Sequence, residues 1–295
     1  MVREFDEPSP QDGAVLIDVD TAGLGGMDVL GAYRVDMPYP CVVRGEGVGR
    51  TQDGRRVYFG ERSVSPFGAW AERTLVPAAE VWEVPDDVDD TTAITMAIAG
   101  TGAFLPLQQA DIQAGERVLI LGGTGAIGQI ALQLARHLGA GSVVAAARDR
   151  AALDRLVERG IVDAVVQLGG DDDAAALAAE AGDGFDVVLD LVFGTPMVAA
   201  LKATRWNARI VSIGRGAGRE VSLELGDLLY RSVTCWGTGQ YAPEERRRVW
   251  ETLLMLAREQ DITVDQVRYS LDQAADAWQA QLASPHAKIT ASIST

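Results

Sequence analysis

The chain has 295 residues, a formal charge of −16 and a sequence pI near 4.5. Such an excess of carboxylates excludes nucleic acid and anionic membrane as principal partners, because both repel it. Two cysteines (Cys41, Cys235) and two histidines (His137, His286) exclude a disulfide scaffold and leave little for a His-rich metal site or a Ser-His-Asp triad. No apolar run reaches membrane-spanning length and no signal peptide opens the chain, so a cytoplasmic protein without a membrane partner is expected.

In chain order, partial alternation of apolar and polar residues from Ala14 to Asp20 predicts a first strand. A glycine-rich corner follows (Gly23, Gly25, Gly26, Gly31), then a loop carrying Tyr33 and Tyr39. Cys41–Val43, Val48, Val57–Phe59 and Trp70–Val76 read as further short strands separated by turns. No helical period shows before about Thr91, where a small, apolar segment to Leu107 reads as a helix joining two lobes.

The chain is organised around the run Val118–Leu121, the turn Gly122 to Gly128 and the segment that follows it to Gly139. Apolar residues at 127, 130, 131, 134, 135 and 138 predict an amphipathic helix behind a buried strand. Gly123, Gly125 and Gly128 have the G-x-G-x-x-G spacing of a dinucleotide fingerprint. The first glycine permits the turn, the second lets backbone approach a pyrophosphate, and the third lets helix and strand pack closely. Thr124, Ala126 and Ile127 complete the expected phosphate cradle, with free amides at the helix start.

Further apolar runs at 143–147, 162–166, 185–191 and 209–213 alternate with helical segments. Asp149 is the expected N-cap of one helix, the acids 171–173 open another, and Thr195–Pro196 reads as N-cap plus first-turn proline of a third. This alternation predicts right-handed βαβ units and a doubly wound parallel sheet. The acid that contacts the ribose hydroxyls in NAD enzymes is replaced by Ala147, with Arg148 next to it. A guanidinium there suits a 2′-phosphate, which predicts NADP(H) over NAD(H). Leu191, Val192, Ile213 and Gly214, at carboxyl ends of strands, are expected at the nicotinamide end. Helices opened by Pro243 and by a Ser270/Gln273 capping box, then a strand at 288–293, should return to the first lobe. The tryptophans are expected in the core or between lobes.

With these pieces placed, the sequence resembles the medium-chain dehydrogenase/reductase superfamily, on its zinc-free quinone oxidoreductase and enoyl-reductase branch. The resemblance is carried by Ala22–Leu24 with Asp28–Leu30, Gly45–Gly49, Gly68–Glu72, Ala114–Ile120, the glycine turn and Phe185–Asp190. It implies a Rossmann domain (99–242), a GroES-like β-rich domain (1–98 with 243–295 returning), NADPH and a homodimer through the sheet edge. Zinc-dependent relatives carry a cysteine where Gly25 stands and a histidine where Gly45 stands, so the resemblance implies no catalytic zinc. The β-rich domain reads as trimmed, with a short loop between Gly49 and Val57. Gly25 and Gly102 replace the asparagine and threonine common in zinc-free reductases, which suggests an altered site.

The expected activity is NADPH-dependent reduction of an activated C=C bond in a small enone or quinone. Tyr33, in a Gly-x-Tyr loop like that of zinc-free relatives, is the first candidate to bind the substrate carbonyl, and Tyr39 the second. Two alternatives stay open at this point: a reductase fold recruited for a non-redox step such as cyclisation, and an NADP(H)-binding protein without catalysis.

Overall fold

The computed structural model describes residues 2–30, 39–60, 62–237, 241–259 and 262–293. The chain divides into two compact units, residues 1–98 with 241–295 and residues 99–240. In chain order, the first unit begins with β1 (Ala14–Leu24), a one-turn helix α1 (Gly26–Leu30), β2 (Glu46–Thr51), β3 (Arg56–Phe59), β4 (Arg73–Pro77) and β5 (Val81–Glu83). A short helix α2 (Asp90–Ile94), capped by Asp89 accepting from the Thr92 amide, runs through a π-helical turn at 95–99.

The second unit holds α3 (Gly100–Ala110), β6 (Arg117–Leu121), α4 (Ala126–His137), β7 (Ser142–Ala147), α5 (Arg150–Glu158), β8 (Ala164–Gln167), α6 (Asp173–Ala181), β9 (Phe185–Asp190), α7 (Thr195–Lys202), β10 (Thr204–Ser212), α8 (Leu225–Leu228) and β11 (Ser232–Cys235). The chain then returns to the first unit with α9 (Pro243–Glu259), β12 (Gln266–Ser270), α10 (Ala274–Leu282) and β13 (Lys288–Ser292).

In the second unit the strands pair in the order β11-β10-β9-β6-β7-β8, all parallel. This is the doubly wound order, reversing direction between β6 and β9. Leu119, Leu121, Val144, Phe185, Val188 and Ile210 pack under Leu177, Met197 and Leu201 of α6 and α7. On the inward stripe of α4, Ile130, Ala131, Leu134 and Ala135 are fully buried, in line with the helical period of the sequence. Asp149 caps α5 by accepting from the Ala152 amide at 2.8 Å.

In the first unit, long β1 carries β2 on one edge and both β4 and β13 on the other, in a seven-stranded sheet ending in β12 and β5. Ile17, Leu24, Phe59, Trp70 and Ile289 form its core with Ala277 of α10. Trp250 of α9 stacks on Tyr58 at 5.4 Å and donates to the Ala93 carbonyl at 2.9 Å.

Several local expectations are corrected. Cys41–Val43 joins no ladder; it is held by the Val42 amide donating to the Pro66 carbonyl and the Trp70 amide donating to the Val43 carbonyl. Helix α1 is too short to show a period, and the edge strands β11 and β12 too short and exposed to stand out. The N-cap of α7 is Gly194, not Thr195. Its φ of +75° and a would-be Cβ 2.8 Å from the Ala217 oxygen favour glycine there, and the helix starts one residue earlier than expected, at Thr195. Four tryptophans are buried, yet Trp206 is 73% exposed and stacks on Tyr230.

Candidate functional site

Strand β6 leaves the sheet at Gly122, whose positive φ opens the turn, and the Gly122 amide closes back on the Ala146 carbonyl at 2.8 Å. Two glycines of the turn are fixed by contact. A Cβ on Gly128 would overlap the Gly122 carbonyl, and one on Gly123 would stand 2.9 Å from the Ala145 Cβ. Gly125 differs, since only the Gly122 oxygen lies within 4 Å of its would-be Cβ, at 3.6 Å. It is the N-cap of α4 in extended conformation and gives no side-chain cap bond. The first intrahelical bond runs from the Gln129 amide to Gly125, so the amides of Ala126, Ile127 and Gly128 precede it. Backbone donors, a helix dipole and open space together fit a phosphate. Behind the turn, the buried Gln129 side chain donates to the Thr124 carbonyl at 2.9 Å and accepts from Arg159 at 2.9 Å.

Beside this turn, Arg148 follows the end of β7 and is exposed. Among the described residues its guanidinium has no partner, whereas Arg150 is tied to Asp154 at 2.7 Å. The nearby carboxylate, Asp149, is taken up by the cap of α5.

The ends of β9 and β10 meet the other side of the turn. A Cβ on Gly122 would lie 2.9 Å from Val192 Cγ1, and one on Gly214 would overlap the Leu191 carbonyl oxygen. Leu191, Val192, Ile213 and Gly214 are half-buried there. They are held by Asp190, which sequence reasoning overlooked. Its Oδ1 accepts from the amides of Val192 (3.0 Å) and Phe193 (2.7 Å), and its Oδ2 from the Ser212 hydroxyl (2.6 Å). Its carbonyl accepts from the amides of Ile213 (2.9 Å) and Gly214 (3.4 Å). Burial pushes the Asp190 carboxyl above its ordinary range, against the pull of the Ser212, Val192 and Phe193 hydrogen bonds. The run F-D-V-V-L-D ending on a buried strand was the available signal; its partner Ser212, 22 residues on, was not.

In the first unit, Lys288 and Glu46 form a buried ion pair at 2.6 Å, and Tyr58 donates to Glu46 at 2.8 Å. The buried Asp28 accepts from the amides of Gly25 (2.9 Å) and Gly45 (3.2 Å), and burial raises its pKa. Among the described residues no group of three or more His, Cys, Asp or Glu side chains could hold a metal ion. Tyr39 is 73% exposed, and Tyr33 lies outside the described residues.

The family model described as zinc-binding dehydrogenase matches residues 126–256. A mouse quinone oxidoreductase-like protein 2 is 28% identical over 248 residues, covering 78% of this chain and 69% of the relative. The structure of a mycobacterial protein complexed with NADPH superposes with a TM-score of 0.85 at 23% identity, over 99% of this chain and 95% of that one. The CurK enoyl reductase superposes with a TM-score of 0.80 at 21% identity, over 99% and 94%. A doubly wound sheet with an uncapped glycine turn, in one chain with a seven-stranded mixed sheet, makes this a two-unit α/β protein. By these comparisons the chain is similar to the quinone oxidoreductase-like branch of the medium-chain dehydrogenase/reductase superfamily.

Proposed function

We propose that the chain is an NADPH-dependent oxidoreductase that reduces an activated C=C bond of a small enone or quinone without a catalytic metal. The observation that carries this reading is the helix start at Gly125, which has no side-chain cap, has open space where a side chain would stand, and precedes three amides ahead of the first intrahelical bond. Relatives named as a quinone oxidoreductase-like protein, a protein complexed with NADPH and an enoyl reductase support it.

When bound, the coenzyme would supply a hydride from its nicotinamide ring. The chain's own residues do the rest. Amides of Ala126 and Ile127, with Gly123, Thr124 and Gly125 shaping the turn, hold the pyrophosphate. Arg148 pairs with the 2′-phosphate. Leu191, Val192, Ile213 and Gly214 close the nicotinamide end against water, which strengthens every electrostatic contact inside. Tyr33 donates to the substrate carbonyl as negative charge grows on its oxygen, with Tyr39 as second candidate. Metal independence is supported by Gly25 and Gly45, which offer no ligand and whose amides both turn to Asp28.

The domain limits proposed are 1–98 with 243–295 for substrate and 99–242 for coenzyme. A homodimer is supported by β11, the last strand of its sheet, and by exposed Leu225, Leu229, Tyr230, Val233 and Trp206 on neighbouring elements. Two free cysteines fit a reducing compartment, which supports a cytoplasmic location. The test is NADPH consumption with enones and quinones. Oxidation matched one-to-one by reduced product is expected; tight NADPH binding with no turnover on either acceptor class contradicts the enzymatic reading.

A further inference from the structure

Asp190 is fully buried, and among the described residues it pairs with no cation. Its oxygens meet two amides and one hydroxyl, as described above. An asparagine could do the same holding. Its oxygen would accept from both amides and its nitrogen would donate to a rotated Ser212 hydroxyl. The three hydrogen bonds favour the charge but supply no counter-ion, and burial of a carboxylate that no described cation faces is costly.

The charge has a distinctive address. Asp190 ends β9, level with Leu121 at the end of β6, and between these two strands the sheet reverses its winding. The crevice at that reversal is where open parallel sheets bind ligands. Resting on the coenzyme reading above, we propose that Asp190 supplies the counter-charge for the oxidised nicotinamide ring, which carries a unit positive charge that the reduced ring lacks. The carboxylate then favours NADP+ over NADPH, lowering the potential of the bound couple and making the bound NADPH a stronger reductant. Among the described residues no cation faces the carboxylate, and the coenzyme provides that partner.

The test is the pair of dissociation constants for NADP+ and NADPH, titrated separately by calorimetry into the wild type and Asp190→Asn. Asp190→Asn is expected to weaken NADP+ roughly tenfold more than NADPH, the order that charge pairs in a low-dielectric crevice are worth. That change in ratio raises the bound couple's midpoint potential by about 30 mV. Ser212→Ala, which keeps the charge, should leave the ratio within about twofold of wild type, since neutral hydrogen bonds do not distinguish the two rings. Asp190→Ser, which keeps an acceptor oxygen, gives the same reading if the amide variant does not fold. Equal weakening of both forms, or none, overturns the proposal and leaves Asp190 a loop brace. Wild type with no affinity for either form overturns the coenzyme reading itself, and this inference with it.

Discussion

Gly214 and Leu191 touch so closely that any side chain on Gly214 would overlap the Leu191 carbonyl oxygen. The contact joins the loop after β9 to the loop after β10, and Asp190 ties both from below. Gly214→Ala must therefore displace the 191–192 backbone that lies against the glycine turn. We expect NADPH affinity to fall at least tenfold and stability by about 1–3 kcal/mol, as for an overpacked site. Titration together with urea unfolding checks this, and wild-type affinity would show that the loop contact does not shape the coenzyme site.

Among the described residues the Arg148 guanidinium at the end of β7 has no partner, while Arg150 is engaged by Asp154. Arg148→Ala should raise the NADPH dissociation constant by roughly tenfold or more and leave that for NADH nearly unchanged, because only the former carries the phosphate. Equal effects on the two coenzymes would remove the residue from 2′-phosphate recognition.

Much of this architecture was legible because its signals are local. The apolar runs of β6 and β7, the stripe on α4 and the Asp149 cap each occupy one short window. The Ser270/Gln273 capping box likewise opens the turn that leads into α10. What stayed hidden depends on contacts between distant positions. Lys288 and Glu46 are 242 residues apart, and Asp190 finds Ser212 only once β10 lies beside β9. The cap of α7 moved to Gly194 because of the Ala217 carbonyl, which no local pattern could announce. The exposed Trp206–Tyr230 stack follows from a register shift in β10, again a matter of pairing rather than composition.

The Lys288–Glu46 pair is buried on both sides, with Tyr58 also donating to the carboxylate. Lys288→Met leaves a buried carboxylate without its cation and should cost about 3–5 kcal/mol. Adding Glu46→Gln to that variant should recover part of the loss. Chemical denaturation of the two variants reads this directly; an unchanged unfolding midpoint for Lys288→Met would mean the pair contributes nothing to the first unit.

The raised pKa of Asp190 has a sign in stability. A carboxyl with a higher pKa folded than unfolded contributes stability that is fully present below its unfolded pKa and lost as pH rises through the folded one. Asp190→Asn has no such proton to lose. Relative to wild type, it should therefore gain melting temperature as pH rises from about 4 to about 8. Thermal melts across that range check it, and a relative loss with rising pH would mean that the hydrogen bonds outweigh burial.

The surface of β11 and its neighbours makes an oligomer testable. Val233→Lys places a charge on the exposed sheet edge. Sedimentation should show a dimer for wild type and a monomer for this variant, while a wild type that sediments as a monomer would contradict the homodimer.

The most direct test is calorimetric titration of the purified wild-type protein with NADPH and, separately, NADH. Saturable one-site binding, tighter for NADPH, is the predicted result. Failure of both coenzymes to bind would contradict the assignment of residues 123–128 as a phosphate cradle, and with it the proposed oxidoreductase activity.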